Sequence, residues 1–242
     1  MPENPYDHPK FFEQYSQMSR SLQGLSGAGE WSTLQKLLPD FKGKRVLDLG
    51  CGYGWHSMYA AENGAKEVIG IDISEKMLAV AREKTSATNV SYKQESMEEF
   101  HANPETFDVV ISSLALHYVE DFQQVVQKVY QALTTGGTFI FSVEHPVFTA
   151  EGSQDWTRDE TGTIVNFPVD NYFFEGRRNV RFLGEEMTKY HRTLTTYLEV
   201  LLKNNFTLEH IVEPMPPEDM LDIPGMPDEM RRPMMLIVRA RK

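Results

Sequence analysis

Three glycines at alternate positions, Gly50, Gly52 and Gly54, end the run Val46–Gly54 (VLDLGCGYG), where an apolar strand pattern gives way to helical periodicity. Residues without a Cβ permit a tight turn and let a ligand approach the backbone closely. The N–H groups that open the following helix point at the same place. Asp48 and Cys51 lie inside this run, and Asp72 ends the second strand-like run, VIGIDIS, 22 residues after Gly50. A carboxylate there accepts hydrogen bonds from two ribose hydroxyls; its other reading is a charge set against a helix dipole. The dinucleotide spacing G-x-G-x-x-G fails in both registers, because its third position falls on Trp55 or on Ser57. What stands is Asp48-x-Gly50-x-Gly52-x-Gly54. Two histidines follow strand ends: His145 in Glu144-His145-Pro146, and His117. Each is a candidate general base, with a packed structural histidine as the alternative. The histidines are scattered and Cys51 fits the turn by its small size, so no metal site is expected.

The elements that must position these residues alternate. Strands are expected at Lys44–Leu49, Glu67–Ile71, Val90–Lys93, Phe107–Ile111 and Thr138–Val143. Helices are expected at Tyr53–Asn63, at Ser74–Lys84 with Ser74 as N-cap, and at Phe122–Leu133. Strands and helices in this rhythm make βαβ units, hence a parallel, doubly wound α/β sheet. Before them, Phe11–Leu38 reads as helical with a break at Gly24–Gly29. After Pro146 the rhythm stops. A hairpin-like stretch, Phe173–Leu183, precedes a helix at Tyr190–Asn204 and strands at Thr207–Glu213 and Met234–Ala240, the last two joined by a loop with six prolines.

The Asp48/Gly50/Gly52/Gly54 turn with Asp72 resembles the first motifs of class I S-adenosylmethionine (SAM)-dependent methyltransferases, in the broad small-molecule group. The resemblance covers about Gly43 to His145. It implies a Rossmann-like, mostly parallel seven-stranded sheet and SAM as cofactor, with S-adenosylhomocysteine as product. It implies that Asp48, Gly50, Cys51 and Gly52 form the cofactor turn, that Asp72 holds the ribose, and that Ile73 and Met77 also belong to the cofactor site. Glu95 would face the adenine amino group, Ser96 and Met97 the ring, and Ser113 and Leu114 the methionine part. The stretch 1–40 would be a helical lid, with Tyr15 and Met18 closing over SAM. Arg20 there either pairs with the SAM carboxylate or is an exposed arginine on a packing helix. The whole of 1–242 reads as one domain, with 147–189 an insertion over the substrate site or a surface flap.

Tyr172, Phe173 and Phe174, with Met215, Met220, Met226 and Met230, are candidates to line an acceptor pocket, methionine adapting to varied apolar shapes; core packing is the alternative. A formal net charge of −11 disfavours nucleic acid. The basic residues Arg177, Arg178, Arg181, Lys189 and Arg192 are the exception to examine, as a patch or a solvated face. No apolar run reaches membrane-spanning length, the polar stretch Met1–Lys10 is no signal peptide, and the single Cys51 suits a reducing cytoplasm. The expected function is methyl transfer from SAM to a small organic acceptor. The alternatives are a methyltransferase acting on RNA or protein and a non-catalytic SAM-binding relative. The sequence leaves the oligomeric state open.

Overall fold

The structure, a computed structural model, describes residues 4–242; residues 1–3 of the expected lid and of the Met1–Lys10 stretch lie outside the described residues. The chain begins with three short helices, α1 (Pro9–Ser16), α2 (Ser19–Gln23) and α3 (Trp31–Leu37). The alternating core follows: β1 (Arg45–Leu49), α4 (Trp55–Glu62), β2 (Glu67–Asp72), α5 (Glu75–Lys84), β3 (Val90–Gln94), β4 (Phe107–Ser113), α6 (Phe122–Ala132) and β5 (Leu133–Glu144). Beyond it come α7 (Pro146–Thr149), the small pairs β6 (Thr157–Arg158) with β7 (Ile164–Asn166) and β8 (Gly176–Phe182) with β9 (Glu185–His191), then α8 (Leu194–Lys203), β10 (Thr207–Val212), α9 (Met226–Glu229) and β11 (Met235–Arg241).

Seven strands form one sheet in the order β10-β11-β5-β4-β1-β2-β3. The pairs from β5 to β3 are parallel, while β11 runs antiparallel to both β5 and β10. Both faces are covered, so the central strands are apolar nearly throughout, and the period of two deals their residues alternately to two cores. Leu47 and Leu49, with Phe139, Phe141 and Val143, join α6 and α8 on one side. Val46 and Ile140 join Leu34 of α3 and Ala60 of α4 on the other. Each buried phenylalanine contributes about 2 kcal/mol. Helix α6 shows why it packs: Phe122, Val125, Val126 and Val129 make one apolar stripe, and Asp121 caps it by accepting the Gln124 N–H at 2.9 Å.

The strand order reverses around β1, which lies between β2 and β4. That is the point where a doubly wound sheet opens a crevice at the strands' carboxyl ends. Four local expectations are corrected. The N-terminal helix breaks a second time, at Gln17–Met18, as well as at the glycines. Strand β5 begins at Leu133 rather than Thr138; its register against β4 shifts between Phe107 and Val109 where Gly136, at φ 79°, donates to the Lys242 carbonyl. The hairpin does not end at Leu183, which is part of its turn. Residues 185–191 form the second arm, so α8 starts at Leu194, with Thr193 as its cap.

Candidate active site

Beyond Leu49 the chain turns through Gly50, Gly52 and Gly54 at φ 70°, 53° and 75°, a region that disfavours any side chain. Two of these glycines are also closed in from behind. A Cβ on Gly50 would stand 2.4 Å from Ala115 Cβ, and one on Gly54 would stand 2.2 Å from Tyr92 Oη. At Gly52 a Cβ would meet nothing within 4 Å, because that residue faces a cavity of about 1180 Å³. The turn is pinned to β2: Gly50 and Cys51 both donate their N–H to the Ile71 carbonyl. Asp72 completes the arrangement, accepting the Gly52 N–H on Oδ2 and the Ser74 N–H on Oδ1, both at 2.8 Å. Each oxygen keeps a free lone pair directed by these bonds, which suits two adjacent hydroxyls. Burial pushes the Asp72 pKa up to about 6, against the two backbone bonds.

Along the same cavity wall stand Ile73 and Met77, then Glu95, Ser96 and Met97, then Ser113 and Leu114 at the end of β4. The Glu95 N–H donates to the Asp72 carbonyl, and Ser113 Oγ lies 3.2 Å from Ser142 Oγ. Asp48 and Cys51 are not on this wall. They lie behind the turn, where Asp48 accepts the Ser57 hydroxyl at 2.6 Å and burial pushes its pKa up to about 7. The backbone cradle at Gly52, which a Cβ would fill, together with the adjacent carboxylate and its directed lone pairs, fits the ribose and backbone contacts of SAM.

The N-terminal segment crosses over this end. Asp7 accepts the Ser74 hydroxyl at 2.6 Å and the Lys76 N–H at 3.2 Å, and Tyr6 donates to Tyr118 Oη at 3.1 Å. Phe11 is buried against Val180 and Met187 of the β8–β9 hairpin. Tyr15, Met18 and Arg20 all reach the cavity. Arg20 already has a partner: its guanidinium pairs with Glu30, a buried residue whose second oxygen has none.

The far end of the cavity is built by the ends of β4 and β5, the hairpin and the proline-rich loop. His117 is there, 2 % exposed, with Nδ1 accepting the Glu144 N–H at 3.4 Å. Burial lowers its pKa to about 4, so at neutral pH the ring is uncharged and carries its proton on Nε2. His145 is not on the cavity wall. Its Nδ1 accepts the Val147 N–H, capping α7, and its Nε2 lies 2.9 Å from Glu213.

Sequence reasoning missed the polar group between these residues. Glu144 Oε1 lies 2.5 Å from Lys189 Nζ, and Glu144 Oε2 accepts from Gln154 at 2.6 Å. Its position after strand five was the available signal. The basic patch does not exist as one surface: Lys189 and Arg192 are buried, and Arg178 is tied to the Ala150 and Phe174 carbonyls. The aromatic lining is also corrected. Phe173 and Phe174 are exposed and Tyr172 is bonded to Leu194, while the expected Met215 and Met226 line the cavity together with Trp156, Ile164, Met187 and Met235. Met220 and Met230 are off it.

A methyltransferase-domain family profile matches residues 47–141. A solved structure from Listeria monocytogenes, assigned as an S-adenosylmethionine dependent methyltransferase, is 55% identical, covering 90% of this chain and 99% of that one, with a TM-score of 0.87. An S-adenosylmethionine dependent methyltransferase from Mesorhizobium loti is 42% identical over 90% of this chain and 100% of that one, with a TM-score of 0.84. A malonyl-[acyl-carrier protein] O-methyltransferase from Enterobacter lignolyticus is 38% identical over 45% of this chain and 42% of its own length.

Proposed function

The chain belongs to the SAM-dependent methyltransferases, and from that premise we propose that it methylates a small organic acceptor held in the far end of its own cavity. The observation that carries this reading is the continuity of that cavity, about 1180 Å³, from the glycine turn to the wall of Trp156, Ile164 and methionines. Donor and acceptor ends share one open cavity bordered by the N-terminal segment, the hairpin and the proline-rich loop. The formal charge of −11 supports a small molecule over RNA. The partial similarity to an O-methyltransferase supports oxygen as the acceptor atom.

When bound, SAM supplies an electrophilic methyl group on a sulfonium. The chain's residues position and enclose. Gly52 leaves room for the donor at the backbone, Asp72 holds the ribose hydroxyls, and Met97 and Ile73 flank the adenine. Ser113 and Leu114 fix the methionine end, with Arg20 and Glu30 beside it. Closure of the lid over bound SAM would strip solvent from an acceptor aligned with the methyl group.

The test is calorimetric titration of SAM, S-adenosylhomocysteine and NAD, followed by a metabolite panel scored for S-adenosylhomocysteine release. SAM binding without NAD binding, and turnover of a small acceptor, is the expected result. Turnover confined to protein or RNA substrates overturns the acceptor reading.

A further inference from the structure

We infer that the acceptor is a hydroxyl or amine compound with an apolar body, and that Glu144 is the catalytic residue that receives the hydrogen of its nucleophilic atom. The inference rests on the methyltransferase reading and specifies its acceptor.

Glu144 closes β5 beside the end of β4 and lies on the cavity wall, its side chain 13% exposed. Lys189, 3% exposed, reaches it from β9, and Gln154 reaches it from the flap; the lysine also donates to Gln154 Oε1 at 3.0 Å. For joining β9 to β5 alone, an apolar pair would serve at least as well as a buried ion pair. What the ion pair adds is a fixed, ionised carboxylate at the cavity. Each Glu144 oxygen has taken one donor and keeps a second lone pair.

The other groups near these strand ends cannot do the same. His117 has its Nδ1 engaged and presents an N–H, the Tyr118 oxygen is engaged by Tyr6, and Lys189 only donates. The charged or titratable groups that interact with Glu144 are His117 and Tyr118 from the β4–α6 connection, Tyr197 from α8 and Lys189 from β9. Burial raises the Glu144 pKa; Lys189, its hydrogen bond and that from Gln154, with His117 only at the acidic pH where its ring is charged, outweigh it and leave the carboxyl below its usual range.

A carboxylate in this place serves nucleophiles that must lose a proton, which are hydroxyls and amines. The acceptor's lone pair forms the new bond to the methyl carbon as the carbon–sulfur bond breaks. That bond's electron pair stays on sulfur and cancels the sulfonium charge. The acceptor's proton passes to a Glu144 oxygen and from there to solvent. Trp156, Ile164, Met187 and Met226 supply the apolar surroundings for the acceptor's body.

The test uses the full chain, with catechol, phenethylamine and thiophenol as probes. Wild type is expected to methylate catechol or phenethylamine. Glu144→Gln, which keeps the shape, should lower kcat at least about 100-fold and weaken binding of that probe to the S-adenosylhomocysteine-loaded protein in calorimetry. Its SAM affinity should stay within about two-fold of wild type, which also shows that it folds. Lys189→Met should lower turnover and move the acidic limb of the pH profile of the remaining turnover upward by about one unit or more, as expected when a carboxylate loses its cation. The proposal is overturned if wild type binds SAM yet methylates neither catechol nor phenethylamine. It is equally overturned if Glu144→Gln turns over within about three-fold of wild type, or if the limb does not move in Lys189→Met. Absence of SAM binding refutes the methyltransferase reading itself, and this inference with it.

Discussion

Replacing Asp48 by asparagine should stabilise the protein at pH 8 and leave it nearly unchanged at pH 5. The Asp48 carboxyl is 1% exposed; one oxygen receives the Ser57 hydroxyl at 2.6 Å and the other has no partner. Burial is the main reason its pKa rises from 3.8 to about 7, with the Asp72 charge adding to the rise and the Ser57 hydrogen bond opposing it. The folded protein therefore holds this proton more tightly than the unfolded chain. Its contribution is fully present below pH 4, is lost as the pH climbs to 7, and stays lost above that. At about 1.4 kcal/mol per unit, the three-unit shift amounts to about 4 kcal/mol of stability lost by pH 8. Asparagine still accepts from Ser57 but buries an unpaired N–H, at a cost of about 1–3 kcal/mol. The expected net gain at pH 8 is about 1–3 kcal/mol. Urea unfolding of both proteins at pH 5, 6, 7 and 8 measures it. A difference that stays constant across that range would refute the reasoning, because it would mean that Asp48 titrates alike in the folded and unfolded chains.

Other perturbations separate the roles assigned above. Asp72→Ala should weaken SAM binding by about 1–3 kcal/mol in calorimetry, since a charged acceptor of ribose hydroxyls is lost. Gly52→Ala should fold, losing about 1–2 kcal/mol to its left-handed backbone, but its methyl group occupies the donor cradle and should abolish measurable SAM binding. Gly54→Ala should instead lower the unfolding midpoint markedly, because its Cβ lies 2.2 Å from Tyr92 Oη. Arg232 lies within 4.5–5.0 Å of the rings of Phe148, Phe167 and Trp156 and is forked onto Glu229. Arg232→Met should release the flap from the proline-rich loop, read as faster hydrogen exchange at residues 151–170 with unchanged exchange in β1 and β4.

The sheet and the donor end were legible because their signals are local. Apolar runs ending in glycines, an acidic residue after β2 and a serine cap on α5 each depend on neighbouring residues alone. The acceptor end was not legible. Strand β9 reads Glu-Glu-Met-Thr-Lys-Tyr-His, and its inward positions include Lys189 and His191, so the alternation of burial carries no hydrophobic pattern. Their burial depends on partners far along the chain: Glu144 and Gln154 for the lysine, Thr149 for the histidine. Arg20 shows the same limit. Its type and place in the lid could be read, but its pairing with Glu30 could not. His145 had the right place after a strand, yet its ring was claimed by the backbone two residues on.

Strand β11 gives the molecule a constraint during its synthesis. It lies between β5 and β10, with Leu236 opposite Val143 and Ile237 opposite Val212. Leu236, Val238 and Ala240 enter one core while Ile237 enters the other. A chain that has made β1 to β5 but not yet docked β11 therefore presents a bare β5 edge, while β10, whose only sheet partner is β11, has no strand to join. Docking residues 235–241 caps that edge against foreign strands and brings β10 into the sheet in the same step.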